Sequence, residues 1–342
     1  MTEDLRSTVL YKKALGCLLG GLIGDAMGAP TEGKDYRDIE NQFGWVDDFE
    51  GEGTDDTVMK NLLSEALKRT DGCATLDDWA MVWLDNWDAI FGPKVRRFFI
   101  SVLHTANKLR RHSIPRTAAL GNMPSSSSAM CISPVGIVNA CNPRQAALQA
   151  YNLASLIHVH EVGFCQDGAA AMAAAIAEAF KPDATVESIL DAATVAIVKP
   201  SGGEMLERID EALDLAREKR DYKEFRKAAY ADAERFFCRL ACDSRETIPL
   251  TLALFYLAGG DVERCITYPA NFGRDADTIA TMCGAIAGAL RGVDGIKRQW
   301  VEKVNQYASL SQEELAENLA RVALKKYERE REAQTILESI SS

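Results

Sequence analysis

The chain has 342 residues, 47% hydrophobic and 26% charged, which is the composition of a soluble globular protein with a sizeable core. Its formal net charge of −11 argues against nonspecific binding to nucleic acid or to an anionic membrane, because such binding needs clustered Lys and Arg. Nine scattered cysteines and only four histidines favour a reducing compartment and disfavour a zinc site. We therefore expect a cytoplasmic protein, monomeric, without a nucleic-acid or membrane partner.

Helical patterns dominate the chain from its start. The apolar, glycine-rich stretch 11–28 predicts a buried helix whose small residues let a neighbouring backbone approach closely. This stretch resembles a signal peptide, but it runs directly into Asp25 and is too short to span a membrane. Further helices are predicted at about 57–69, 76–90, 94–111, 143–160, 163–180, 185–198, 203–219, 222–238, 246–259, 276–291 and 311–338.

Three tryptophans recur within the predicted helix 76–90. Trp79, Trp83 and Trp87 stand at positions i, i+4 and i+8 and so share one helix face. Such a stripe can stack on an adenine ring, but it more often packs into a core. We therefore predict core packing for all three side chains.

Alternating strand patterns are nearly absent, and no Pro/Gly/Ser-rich linker divides the chain. The most loop-like stretch is 121–128, which ends in four consecutive serines. At the start of the last predicted helix, Ser311 and Glu314 have the spacing of a capping box. The sequence predicts one all-α globular domain over residues 1–342, with 300–342 as a C-terminal helical extension.

Two short acidic clusters, 53–57 and 273–278, stand about 220 residues apart. Each places two carboxylates and a threonine hydroxyl beside a glycine, directly before a predicted helix. Oxygen ligands of this kind suit Mg²⁺ and Mn²⁺, although either cluster taken alone is better explained as a helix N-cap. If the fold brings the clusters together, four carboxylates repel one another unless cations lie between them.

Four motifs together resemble the ADP-ribosylglycohydrolase family. They are G-x-x-x-G-D-A-x-G-x-P-x-E at 20–32, T-D-D-T at 54–57, G-x-D-x-D-T-I-A at 273–280 and G-A-I-A-G-A at 284–289. The resemblance implies an all-helical fold with two Mg²⁺ or Mn²⁺ ions in a central cleft. It also implies hydrolysis of the glycosidic bond between the ribose of an ADP-ribosyl group and its acceptor, such as a protein side chain. Carried over by position, the implied metal ligands are Thr54, Asp55, Asp56, Asp275, Asp277 and Thr278.

The resemblance further implies catalytic and substrate-binding residues. Glu32 matches the family's glutamate, and we assign it as the base or gatekeeper, with Asp56 as a second catalytic carboxylate. Asp25 is expected to support a backbone turn or a metal-bound water rather than to perform chemistry. The expected substrate contacts are Ser126, Ser127, Ser128, Met130, His158 and Arg274.

Two residues depart from the family pattern, and for this reason the sequence does not decide which substrate the protein takes. Cys131 stands where the family's diphosphate loop has an arginine, and serines replace its Asn-Gly part. Arg274 precedes the second acidic cluster, where it could bind a substrate anion or pair with a neighbouring acid. A metal-dependent N-ribosidase acting on a smaller nucleoside-like compound, and a non-catalytic binding protein, therefore remain alternatives.

Overall fold

The computed structural model describes residues 4–341 and contains no strand within them, which confirms the all-α prediction. Four short 3-10 helices, at Leu5–Ser7, Val95–Arg97, His160–Val162 and Val293–Gly295, supplement the α-helices. The α-helices of the described chain are α1 Val9–Gly28, α2 Tyr36–Phe43, α3 Asp55–Arg69, α4 Leu76–Asp85, α5 Trp87–Phe91, α6 Ile100–Arg110, α7 Pro115–Ala118, α8 Ser133–Val138, α9 Pro143–Ala154, α10 Phe164–Ala179, α11 Val186–Val195, α12 Lys199–Lys219, α13 Tyr222–Ala231, α14 Ala233–Phe236, α15 Ser244–Ala258, α16 Val262–Ala270, α17 Ala276–Arg291, α18 Arg298–Tyr307 and α19 Gln312–Ser339.

The most extensive helix contact joins α1 and α17, which come from opposite ends of the chain. Glycines recur on α1 every four residues, at 16, 20, 24 and 28, and face the backbone of α17. A Cβ atom on Gly20 would lie 2.2 Å from the carbonyl oxygen of Gly284, and one on Gly24 would lie 2.2 Å from that of Ala280. The predicted close approach is therefore confirmed. It sets the N-terminus of α17 beside the last turns of α1.

The buried hydrophobic side chains form one main cluster that runs through most of the helices. Trp79 and Trp83 are fully buried within it, as predicted. Trp87 differs because α4 ends at Asp85 and Trp87 begins a new helix. There it is only partly buried and stacks on Phe91 with ring centroids 4.0 Å apart.

Several predicted helices are interrupted or shorter than expected. The predicted helix 76–90 is divided at Asn86, whose side-chain amide donates to the carbonyl of Val82, and 222–238 is divided at Asp232. The predicted helix 94–111 begins only at Ile100, because Phe98 is buried with an extended backbone. The predicted helix 143–160 ends at Ala154, and α2, α7, α8, α16 and α18 were not predicted.

The C-terminal helix α19 belongs partly to the core. The Ser311 hydroxyl accepts the N–H of Glu314 at 3.2 Å, which is one of the two bonds of the predicted capping box. The described residues show no return bond from the Ser311 N–H to the Glu314 side chain. Leu315 and Leu319 are buried, and α19 packs against α1 and α3, whereas most residues beyond Lys326 are exposed. No helix among residues 4–341, α1 included, is both long and apolar enough to cross a bilayer.

Candidate metal centre

Three helix ends meet at one point of the fold. The last turns of α1 carry Asp25, α3 begins at Asp55 directly after Thr54, and α17 begins directly after Asp275. The glycine contact brings α17 so close that a Cβ on Gly28 would lie 2.4 Å from the Cα of Asp277. The fold therefore brings the two acidic clusters together.

Asp25 holds the start of α3 in place. Its two carboxylate oxygens accept the backbone N–H of Thr54 at 2.8 and 2.9 Å. One of them also accepts the backbone N–H of Thr57 at 3.1 Å and the Thr57 hydroxyl at 2.6 Å. Gly53 lies against this carboxylate with φ +81°, where a Cβ would approach Asp25 Oδ2 to 2.3 Å. Asp25 therefore supports a backbone turn, which is one of the two roles expected for it.

Glu32 is brought to the second acidic cluster by backbone pairing. Gly33 donates to the carbonyl of Arg274 at 2.7 Å, and Arg274 donates to the carbonyl of Lys34 at 3.1 Å. Gly273 permits this contact, because a Cβ there would lie 2.3 Å from the Lys34 carbonyl oxygen. The turn that carries Glu32 is thus fixed to the turn that carries Asp275.

The acidic residues line one cavity of ≈ 380 Å³, which we call the carboxylate cleft. Single carboxylate oxygens of Glu32, Asp275 and Asp277 all lie within 4.8 Å of one another. The Thr54 hydroxyl lies 3.4 Å from Asp277 Oδ2 and connects the two clusters. Members of both clusters and of the neighbouring loops line the cleft, namely Glu32, Asp55, Asp56, Ser126, Ser127, Met130, Arg274, Asp275, Asp277 and Thr278.

The electrostatics of the carboxylate cleft fit a bound divalent cation. Burial first, and then neighbouring carboxylates, raise the pKa of Asp55 to about 8. Burial raises the pKa of Asp275 to about 7, although Ser126 donates a hydrogen bond to it at 3.0 Å. Burial first, and then neighbouring carboxylates, also raise the pKa values of Asp56 and Asp277 well above the ordinary value of an aspartate.

Two oxygens within this group lack a hydrogen-bond partner. They are Asp56 Oδ2 and Asp277 Oδ1, both buried and unpartnered among residues 4–341. Buried carboxylate oxygens are normally satisfied by a donor or a cation. The donor set, two carboxylates and a threonine from each cluster, suits Mg²⁺ or Mn²⁺.

The serine loop contributes only part of its predicted contacts to the cleft. Ser126, Ser127 and Met130 line it, whereas Ser128 and His158 are fully buried behind the loop. Ser125 and Ser128 hydroxyls lie 2.9 Å from His158 Nε2 and Nδ1, and burial lowers the pKa of His158 to about 3. The imidazole is therefore neutral and supports the loop. Neither Ser128 nor His158 lines the cleft, and their contact with a ligand stays a prediction.

Neither Cys131 nor Arg274 presents a free side chain that could bind an anion. Cys131 is buried, with its sulfur 3.5 Å from the carbonyl oxygens of Ser127 and Ser128. Arg274 lines the cleft, but Nε and Nη2 donate to the buried Glu246 carboxylate at 2.7 Å each. The sequence left two roles open for Arg274, binding a substrate anion or pairing with a neighbouring acid. The structure shows the second, an ion pair with Glu246.

Sequence reasoning missed three residues at the cleft. Arg97 lines it, and its guanidinium lies 3.7 Å from the Glu32 carboxylate. Cys242 lines it, and its carbonyl accepts the Ser126 N–H at 2.6 Å. Glu246 binds Arg274. None lies in a recognisable motif, and only the tertiary fold brings them to the site.

Comparison with known proteins agrees with the fold and the cleft. The ADP-ribosylglycohydrolase family model matches residues 6–331, and the chain belongs to this family. It is therefore a glycoside hydrolase of the class that cleaves ADP-ribosyl bonds.

Individual relatives match over nearly their whole length. The chain is 29% identical to the uncharacterized protein YegU of Escherichia coli, over 94% of this chain and 99% of that protein. It is 27% identical to the human ADP-ribosylhydrolase ARH3, over 90% and 92% respectively. It is 24% identical to the ADP-ribosyl-[dinitrogen reductase] glycohydrolase of Rhodospirillum rubrum, over 86% and 91%. A solved structure titled "ADP-ribosylglycohydrolase-related protein complex" shares the fold, with a TM-score of 0.67 and 20% identity over 92% of this chain and 99% of that one.

Proposed function

We propose that this protein is a hydrolase dependent on two Mg²⁺ or Mn²⁺ ions that cleaves the glycosidic bond of an ADP-ribosyl conjugate. The observation that carries the proposal is the pair of buried, unpartnered oxygens Asp56 Oδ2 and Asp277 Oδ1 within a group of ionisable carboxylates. The proposed ligands are Thr54, Asp55, Asp56, Asp275, Asp277 and Thr278. When bound, such ions orient ribose hydroxyls and lower the pKa of a bound water.

The proposed chemistry assigns distinct roles to the residues of this chain. Hydrolysis breaks the bond between the ribose C1″ and the acceptor and forms a bond from C1″ to a water oxygen. Glu32, half exposed at the edge of the carboxylate group, takes the proton from that water and later releases it to solvent. The acceptor leaves with the electron pair of the broken bond and takes up a proton from solvent. Partial burial raises the pKa of Glu32, against the opposing effect of Arg97, which brings the carboxyl nearer to the range of an efficient base. Asp56, from the acidic cluster 53–57, positions the ribose carbon that reacts. The side chains of Ser126, Ser127 and Met130 contact the rest of the substrate.

A smaller ribosyl substrate is the second candidate. The burial of Cys131 favours it, because the serine loop presents no cationic side chain to a diphosphate. The two candidates differ in which compounds are hydrolysed. ADP-ribosyl-arginine, ADP-ribosyl-serine and simple nucleosides, assayed side by side, distinguish them.

Thermal melts test the metal centre independently of turnover. Mg²⁺ or Mn²⁺ is expected to raise the Tm and EDTA to lower it. The isosteric variants Asp56→Asn and Asp277→Asn are expected to lose this shift, whereas Asp210→Asn, an exposed control on α12, keeps it. No shift with any divalent cation, or full activity in both cluster variants, would contradict the proposal.

The cellular setting is part of the same proposal. All nine cysteines are free and five of them are buried, which supports a reducing, cytoplasmic location. We propose a monomer that acts on ADP-ribosyl groups carried by proteins. Size-exclusion chromatography with light scattering, and fractionation of native cells, test these two statements.

A further inference from the structure

A second cavity of ≈ 540 Å³ adjoins the carboxylate cleft. The two cavities share Arg97, which lines both of them. Pro30, which lines the second cavity, stands only two residues before Glu32. The residues that line the second cavity include Phe43, Trp45, Asp47, Asp48, Glu50 and Arg97.

Arg97, the residue that lines both cavities, forms one weak ion pair with Glu32. Arg97 Nη1 and Glu32 Oε2 are 3.7 Å apart, and their side chains are 53% and 46% exposed. Ion pairs this exposed contribute about 0–1 kcal/mol, so a substrate can separate them at little cost. A molecule that reaches Glu32 can therefore extend past Arg97 into the second cavity.

The wall of the second cavity is held in place by the rest of the fold. The backbone N–H of Val46 donates to Asn271 Oδ1 at 2.8 Å, and Asn271 Nδ2 donates to the Val46 carbonyl at 2.7 Å. The Trp45 ring packs edge-on against Tyr222 with centroids 5.8 Å apart. Binding sites are usually formed in advance in this way.

The chemistry of the second cavity selects against phosphate. Asp47 and Glu50 are exposed and have no cationic partner within residues 4–341, whereas Asp48 pairs with Lys303 at 2.7 Å. Trp45 and Phe43 remain 40% and 39% exposed, which leaves aromatic surface beside the acids. An anionic diphosphate is repelled here, and a cationic chain with aliphatic stems is attracted.

We propose that the second cavity binds the acceptor side of the substrate and selects polypeptides with Lys or Arg beside the ADP-ribosylated residue. This inference rests on the proposed function, because Glu32 marks the position of the bond that breaks. The second cavity opens beside Glu32, where Arg97 lines both cavities, and so offers room for an acceptor next to that carboxylate. Arg97 is then a specificity-determining residue that moves from Glu32 as the acceptor enters.

Two peptides test the proposal directly. They carry ADP-ribose on the same residue, of the kind that the substrate panel identifies, with either lysines or glutamates on both sides. Wild-type protein is expected to cleave the lysine peptide with a kcat/KM about tenfold higher at low salt, and 1 M salt should remove most of this preference. The double variant Asp47→Asn with Glu50→Gln should reduce the preference to about twofold.

A matched control variant removes the same number of negative charges at a distance along the chain from the second cavity. Glu207→Gln with Asp210→Asn alters two exposed acids of α12 that have no ion-pair partner in the described chain, and should keep the tenfold preference. Equal kcat/KM for the two peptides, or an unchanged preference in the Asp47/Glu50 variant, would overturn the inference while leaving the proposed function intact. Failure to cleave either peptide and every compound of the substrate panel would overturn the proposed function as well.

Discussion

Arg274 and Glu246 form a two-point ion pair at the edge of the carboxylate cleft, with both N–O distances at 2.7 Å. The Glu246 side chain is fully buried and also accepts the N–H of Cys238 at 2.6 Å. Arg274 stands directly before Asp275 and has a left-handed φ of 62°. The pair therefore fixes the backbone turn from which Asp275 enters the cleft.

Removing the guanidinium should destabilise the protein. In Arg274→Met the buried Glu246 carboxylate loses its charged partner, which typically costs about 3–5 kcal/mol in the free energy of unfolding. Urea denaturation measures this loss, and the double variant Arg274→Met with Glu246→Gln should recover part of it. A large rise in KM at unchanged stability would instead indicate that Arg274 binds substrate.

The contact between α1 and α17 predicts that Gly20→Ala is strongly destabilising. The new methyl group would meet the Gly284 carbonyl at 2.2 Å and force the two helices apart, at a cost of about 1–3 kcal/mol or more. The matched control is Gly203→Ala in α12, where an added Cβ meets nothing within 4 Å. That variant should gain about 0.5–1 kcal/mol from helix propensity. Thermal and urea unfolding compare the two, and similar effects of both would contradict the packing argument.

The raised carboxyl pKa values predict an unusual pH dependence of stability between pH 6.5 and 8. In this range Asp55 and Asp275, with folded-state pKa values of about 8 and 7, still bind protons that the unfolded chain has released. Stability in EDTA should therefore fall as pH rises. The buried His158 and Lys60, with pKa values of about 3 and 8, have their opposing effects mainly outside this window.

Divalent cations should reverse this trend, because they replace the protons on the carboxylates. The increase in Tm caused by Mg²⁺ or Mn²⁺ should grow from pH 6.5 to 8. Melts at several pH values, with and without cation, measure both slopes. A Tm in EDTA that rises over this range would contradict the assigned pKa directions.

The variant Asp25→Asn tests whether the Asp25 carboxylate holds the start of α3 in place. The amide NH₂ group cannot accept the hydrogen bonds that one carboxylate oxygen receives from Thr54 and Thr57, which should cost about 1–3 kcal/mol. Thr57→Val removes only the 2.6 Å hydroxyl bond and should cost less. Both variants should also show a smaller metal-induced Tm shift than wild type, with the larger reduction in Asp25→Asn.

Much of the fold could be predicted because its signals are local. The glycines of α1, the buried Trp79 and Trp83 and the Ser311 cap each follow from spacing within one helix. The break at Asn86 could not, because its side chain could equally well have pointed to solvent instead of binding the Val82 carbonyl. The late start of α6 could not either, because it follows from the burial of Phe98 in the tertiary structure.

The candidate site was predictable to the extent that its residues lie in motifs at helix ends. The roles of His158 and Arg274 required knowledge of their partners, the loop serines and Glu246, which are separated from them along the chain. Arg97 lies within a stretch whose sequence predicted an ordinary helix. Its place beside Glu32 is a property of the tertiary fold alone.

The pairing of α1 with α17 also has a consequence during synthesis. Ribosomes add about 5–20 residues each second, so α1 leaves the ribosome roughly 10–50 s before its partner. During that interval the apolar, glycine-lined face of α1 has no partner helix to pack against. The second acidic cluster, 273–278, which α1 helps to position, has not yet been synthesised. A nascent or truncated chain that stops before Ala276 is therefore inactive and prone to aggregation, and hydrolase activity begins only when translation is nearly complete.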